Sequence, residues 1–214
     1  MKVKRIDAGN DALLDLGASA WNGAEVTRLD MMPIPLAMVQ DWSPFLARSE
    51  GHGANRNLDV AAMHNGSMLA VRLKWASEKH DELLDLNTFA DGAAVLFPLV
   101  KDAPAMTMGA KGKPTNAWFW RANEKASMEV VAEGFSAVQR VKSQTASDLK
   151  VAARHRNGEW EVIFRRSLAN GNGLVKLPLG GTGKIAFALW NGGNNERSGR
   201  KSFSGDFMDF QIQK

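Results

Sequence analysis

An Asn-Gly step between two alternating apolar runs leaves a chain little freedom, because it is the strongest short-range signal for a hairpin. The sequence presents that arrangement at Asn65-Gly66 and again at Asn157-Gly158. In the first, Leu58 to Met63 and Met68 to Trp75 are strand-like. Along the second arm Met68, Ala70, Arg72 and Lys74 alternate with Leu69, Val71, Leu73 and Trp75, so one face is apolar and the other wet. In the second hairpin, Leu149 to Arg156 precede the turn and Glu159 to Ser167 follow it, with Trp160, Val162 and Phe164 opposite Glu159, Glu161 and Arg165. Two such hairpins commit the chain to antiparallel sheet.

The remaining segments extend that choice. Ala93 to Pro98 reads as a short buried strand, Met128 to Glu133, Lys184 to Trp190 and Asp206 to Gln213 as further strands. Leu29 to Val39 is apolar but interrupted by Pro33 and Pro35, which fits an edge strand or an extended crossing. Trp42 to Asn57 reads as a loop, residues 76–92 as an acidic helix-like or loop-like patch, and Ala137 to Asp148 as a connection. Gly180, Gly181 and Gly183 lead into a strand, as a tight turn does, whereas phosphate cradles lead into a helix. No repeat or linker divides the 214 residues. The expected fold class is all-β: a β-sandwich, or a barrel, forming a single domain over 1–214.

The chain has no cysteine, which removes disulfides, iron–sulfur clusters, thiol nucleophiles and covalently attached c-type haem. No run approaches the roughly 18 apolar residues of a membrane span, and the N-terminus lacks an apolar stretch behind its lysines, so neither a membrane span nor a secretion signal is expected. The net charge of +4 is dispersed as alternating signs, which gives nucleic acid no footprint. Neither G-x-S-x-G nor H-E-x-x-H occurs, and His52, His64, His80 and His155, in turns or polar stretches without metal-ligand spacing, are expected to be solvated.

Two stretches stand out against this background. Residues 104–122 place Met106 and Met108 in a turn containing Gly109, Gly112 and Pro114, followed by Trp118, Phe119 and Trp120. A methionine in a turn either caps the core or offers a soft thioether to copper(I) or haem iron. The loop from Asn191 to Gly205 carries Arg197, Arg200 and Lys201. It is either a solvated loop or one that turns a basic residue inward. A lysine can ligate iron only as the neutral amine, and a guanidinium stays protonated.

These residues carry a resemblance. An AAVLFP strand, a P-x-x-M-G turn, PTNAWFWRA, the strand WEVIFRRSL and a late FALWNGG followed by a basic loop resemble the haem b-binding gamma subunits of type II dimethyl sulfoxide reductase family molybdenum enzymes. Those enzymes act on ethylbenzene, dimethyl sulfide, selenate or chlorate, and the ethylbenzene dehydrogenase kind is nearest in pattern. The resemblance covers most of the chain from about Asp91 onward. It implies a sandwich whose long loops enclose one non-covalent haem b, with iron held by Met108, for which Met106 is the rival, and by Lys201. Trp118, Phe119 and Trp120 would line or support the pocket.

The resemblance further implies a heterotrimer with an iron–sulfur beta subunit and a molybdenum-containing alpha subunit. It also implies a c-type cytochrome as acceptor and a periplasmic location reached with a signal-bearing partner. The rival expectation is a carbohydrate-binding sandwich using exposed tryptophans, without a redox cofactor. An independent enzyme stands behind both, for want of an acid, base or nucleophile set.

Overall fold

The computed structural model describes residues 1–35, 37, 51–83, 85–86, 88–141, 148–169 and 173–214. Trp42, the end of the proline-interrupted run and the middle of the connection after Ala137 lie outside them. The strands are β1 (Lys2–Arg5), β2 (Val26–Asp30), β3 (Met32–Pro33), β4 (Asn57–His64), β5 (Met68–Ala76), β6 (Gly92–Pro98) and β7 (Thr115–Arg121). They continue with β8 (Met128–Ala132), β9 (Val138–Arg140), β10 (Lys150–Arg156), β11 (Glu159–Ser167), β12 (Thr182–Trp190), β13 (Ser202–Phe203) and β14 (Met208–Ile212). No α-helix occurs among the described residues, those of the acidic patch before β6 included.

Both Asn-Gly hairpins form, as β4–β5 and β10–β11, with register Ala62↔Val71 in the first and Ala153↔Val162 in the second. Hydrogen-bonded order runs β10-β11-β5-β4-β1-β14-β12-β6-β7-β8-β9. The short β1 lies parallel to both β4 and β14, so it joins the two halves where the sheet folds over. The proline-interrupted run is the extended crossing: β2 pairs β4 in one half, and two residues later β3 pairs β13 in the other.

The halves stack as a β-sandwich. Val60, Leu73, Trp75, Trp160, Val162 and Phe164 of one half meet Val95, Phe97, Trp118, Trp120, Phe187 and Leu189 of the other in one core. Removing each such side chain from water is worth about 2–3 kcal/mol. Within this core Arg166 is fully buried, with its guanidinium 2.5 Å from Glu129 and 3.1 Å from the Asn116 side chain. A buried charge survives only when paired and hydrogen-bonded in this way.

The alternating pattern describes only half of the burial. On the outer side of β4, β5 and β11, where a wet face is expected, Ala61, Met63, Ala70 and Ile163 pack against Leu13 and Trp21 of the segment between β1 and β2. Arg72 reaches over Trp21 at 5.0 Å and pairs with Glu161 at 3.4 Å. His52 and His64 are buried rather than solvated, and burial lowers the pKa of His64. His64 ends β4, paired with Leu69, and His52 hydrogen-bonds to Ile34 O at 2.6 Å, long-range placements that composition alone does not reveal.

Candidate cofactor site

The apolar runs of β6 and β12 do not alternate, because their outer face is buried as well. Register places Ala186, Leu96, Ala117 and Val130 in one cross-strand row and Ala188, Ala94, Phe119 and Met128 in the next. Trp190, Gly92 and Arg121 form a third. Four alanines in two adjacent rows leave a hollow floor, flanked by Phe119 and Trp190, whose rings meet edge to face at 5.2 Å. Over the Ala94 and Ala117 part of this floor, loops enclose a cavity of about 570 Å³, with Phe89, Met108 and Phe135 among its walls. That volume lies within the roughly 300–1,000 Å³ of cofactor and small-molecule sites. A second cleft of about 30 Å³ shares Ala94, Met108, Ala117 and Trp190 with it and adds Met106 and Lys201.

Met108 is the side chain that reaches both spaces from the loop between β6 and β7. Its φ of 58° lies in the left-handed region, which a bulky residue takes only when its surroundings dictate it, often at ligand clamps. The surroundings do so here. Met108 N–H donates to Ala105 O at 3.1 Å, and Gly134 N–H donates to Met108 O at 3.0 Å. The next residue must be glycine: a Cβ at Gly109 would lie 2.6 Å from the carbonyl oxygens of Ala132 and Lys113. Met106 lines only the smaller cleft and packs with Ile34 and Phe203.

Lys201 reaches the smaller cleft from the loop after β12, immediately before β13. Of the three basic residues in its loop it alone is fully turned in, at 3% exposure. Its Nζ lies 5.1 Å from the Trp190 ring centre and 5.5 Å from that of Phe135. No carboxylate pairs with it among the described residues. Burial alone pulls its pKa from 10.5 down to about 8. The loop is fixed at both ends. Trp190 Nε1 donates to Ser198 O at 3.0 Å, and Gly192 N–H donates to Asp91 Oδ1 at 2.9 Å. Asp91 also accepts from Trp160 Nε1 and Ser77 Oγ. Burial raises its pKa, and these hydrogen bonds oppose that rise.

The structure therefore brings Met108 and Lys201 to one cleft and sends Trp118 and Trp120 elsewhere. Successive residues of β7 face opposite ways. Trp118 and Trp120 point into the sandwich core, where Trp118 Nε1 donates to Glu129 at 3.2 Å and Trp120 meets Trp160 at 4.9 Å. They support the floor from behind, and Phe119 faces the cavity. The sequence reading had no means of finding Phe135, Trp190 or Asp91 as parts of the site. The alternation of β7 does single out Phe119, once the inward face is known.

A family model described as ethylbenzene dehydrogenase matches residues 18–145 and 136–202. The chain is 31% identical over 217 residues to the chlorate reductase subunit gamma of Ideonella dechloratans, covering 96% of this chain and 82% of that one. It is 29% identical to the "Putative respiratory nitrate reductase heme subunit ORF7" of Haloferax mediterranei, covering 87% and 64%. To the dimethylsulfide dehydrogenase subunit gamma of Rhodovulum sulfidophilum it is 28% identical, covering 70% and 58%. The chain thus spans less than two thirds of the length of two of these three relatives.

In fold it is similar to a family 9 carbohydrate-binding module of Caldicellulosiruptor kristjanssonii solved with glucose. The TM-score is 0.53 at 9% identity, covering 100% of this chain and 95% of that one. Such low identity speaks for the sandwich alone. The tryptophan platform expected of a sugar-binding module is absent among the described residues, where Trp21, Trp75, Trp118, Trp120, Trp160 and Trp190 are all buried.

Proposed function

From the premise that this chain belongs to the ethylbenzene dehydrogenase family and is an oxidoreductase gamma subunit by its relatives, we propose that its outer-face cavity holds one non-covalent haem b. The observation that carries this reading is Lys201, a buried amine without an acid partner among the described residues, lining one cleft with Met108. An uncompensated buried ammonium is costly, and metal coordination of the neutral amine removes that cost. The heme subunit among the relatives supports the same cofactor.

Bound there, haem b supplies a one-electron iron couple. Met108 contributes a thioether, which favours the reduced metal and raises the potential. Lys201 contributes a neutral amine, so its proton must leave before it binds. Phe119, Phe135 and Trp190 line the cavity with apolar surface and would exclude water from a bound group. Met108 and Lys201 are the residues that would hold the iron, and a haem held by two side chains of the protein would relay electrons rather than bind substrate. The same reading assigns it to a heterotrimer with an iron–sulfur beta subunit and a molybdenum-containing alpha subunit, working in the periplasm after export with a signal-bearing partner. A soluble c-type cytochrome is the external acceptor.

The test is a visible spectrum of the chain purified with its natural partners, before and after dithionite. Sharp reduced bands of a six-coordinate b-type haem are expected. A featureless spectrum from haem-replete cells, with no extractable haem, would overturn the proposal.

A further inference from the structure

The apolar cavity carries charge on three residues: Arg121, Glu196 and Arg197. Glu196 is already taken up by the fold. Its carboxylate accepts from Ala54 N–H at 2.8 Å, Asn191 N–H at 3.0 Å and the Asn194 amide at 2.9 Å, and it is buried. The two arginines differ. Arg121, at the end of β7, donates through Nη2 to Glu124 at 3.0 Å, while its buried Nε has no hydrogen-bond partner among the described residues. Arg197, in the loop after β12, lies over the Phe89 ring at 4.5 Å and has no carboxylate in ion-pair reach among the described residues. One cation thus stands on each of two separate elements, both bordering the same apolar hollow, and each has donor capacity left over. Guanidinium forks are the side chains best matched to carboxylates.

Resting on the haem reading, we infer that Arg121 and Arg197 anchor the two propionate carboxylates of the porphyrin, one from the end of β7 and one from the loop after β12. The apolar body of the porphyrin would occupy the hollow, and its two carboxylates would meet the arginines. The pair therefore selects for a flat apolar ligand bearing two negative charges.

The experiment titrates the full chain with iron protoporphyrin IX and with its dimethyl ester, which has the same ring and no charge. The same two titrations are run on Arg121→Gln, Arg197→Gln and the double variant. Charge-assisted bonds of this kind are worth about tenfold each in affinity. The native chain is expected to prefer the free acid by about 100-fold. Each single variant should lose about tenfold of that preference, and the double variant should bind acid and ester alike. The reduced six-coordinate spectrum should persist in every variant that binds. Equal binding of acid and ester by the native chain, or an undiminished preference in the double variant, would overturn the arginine assignment and leave the haem reading standing. If the native chain binds neither porphyrin, both fall together.

Discussion

The two outer faces of this sandwich are both apolar, and the described residues fill only one of them. On the β4–β5–β11 side, Ala61, Met63, Ala70 and Ile163 are closed off by Leu13 and Trp21, with Arg72 and Glu161 sealing the rim. On the β6–β7–β12 side, Ala94 and Ala117 lie under loops that stand back from them and leave about 570 Å³, while Ala186 and Ala188 line the small cleft alongside. Covering segments exist in both places, so what separates the faces is side-chain volume. This second face is lined with small residues, with a methionine in a left-handed turn and a lysine that has no acid partner among the described residues beside it.

The strongest way to break that comparison is to fill each face. Ala94→Trp occupies the floor and should abolish haem binding, a loss of more than about 100-fold, while thermal stability stays near that of the native chain because the hollow accepts the ring. Ala70→Trp on the packed face should leave the haem spectrum unchanged and lower stability by about 1–3 kcal/mol through overpacking. Matching losses of haem from both variants, seen by spectrophotometric titration, would dissolve the distinction between the faces.

A second contrast lies in charge. The Lys201 pKa falls from 10.5 to about 8 on folding. Between those values the unfolded chain binds a proton that the folded chain does not, so this residue's contribution to stability rises with pH across the window. Below about pH 8 both states are protonated, and a constant penalty of about 3 kcal/mol remains. Lys201→Met should therefore stabilise the haem-free chain by up to about 3 kcal/mol in urea unfolding at pH 7, and the difference should vanish above pH 10.5. Haem affinity of the native chain should climb with pH until about 8 and then level off, as release of the lysine proton ceases to oppose ligation. Arg72→Gln, at the rim of the packed face, changes charge too, yet should introduce no such pH dependence.

The smallest effect concerns the floor seen from behind. Trp118→Phe removes the hydrogen bond to Glu129 and should lower stability by about 1–2 kcal/mol, with the haem spectrum unaltered. A shifted spectrum would place Trp118 in contact with the cofactor after all.

Much of this was legible in the residues. Asn65-Gly66 and Asn157-Gly158 mark both hairpins because their turn chemistry is local, and Pro33 and Pro35 mark the crossing for the same reason. The face directions were harder to read. Arg72 and Lys74 suggest water on one side of β5, but Trp21, some fifty residues earlier, covers part of that side, and no local pattern reports so distant a partner. The cavity is hidden likewise. Ala94 and Ala188 look like ordinary filler until register sets them side by side, and Phe119 is distinguished from Trp118 and Trp120 only by the parity of β7. Met108 and Lys201 were read through a family resemblance, and their shared cleft is a property of the folded chain.

The most direct test of the central claim is the reduced visible spectrum of three variants beside the native chain: Met108→Ala, Met106→Ala and Lys201→Ala. Met108 and Lys201 as axial ligands require that the first and third lose the six-coordinate low-spin bands, while Met106→Ala keeps them. An unchanged low-spin spectrum in Lys201→Ala, or a loss confined to Met106→Ala, would contradict the account.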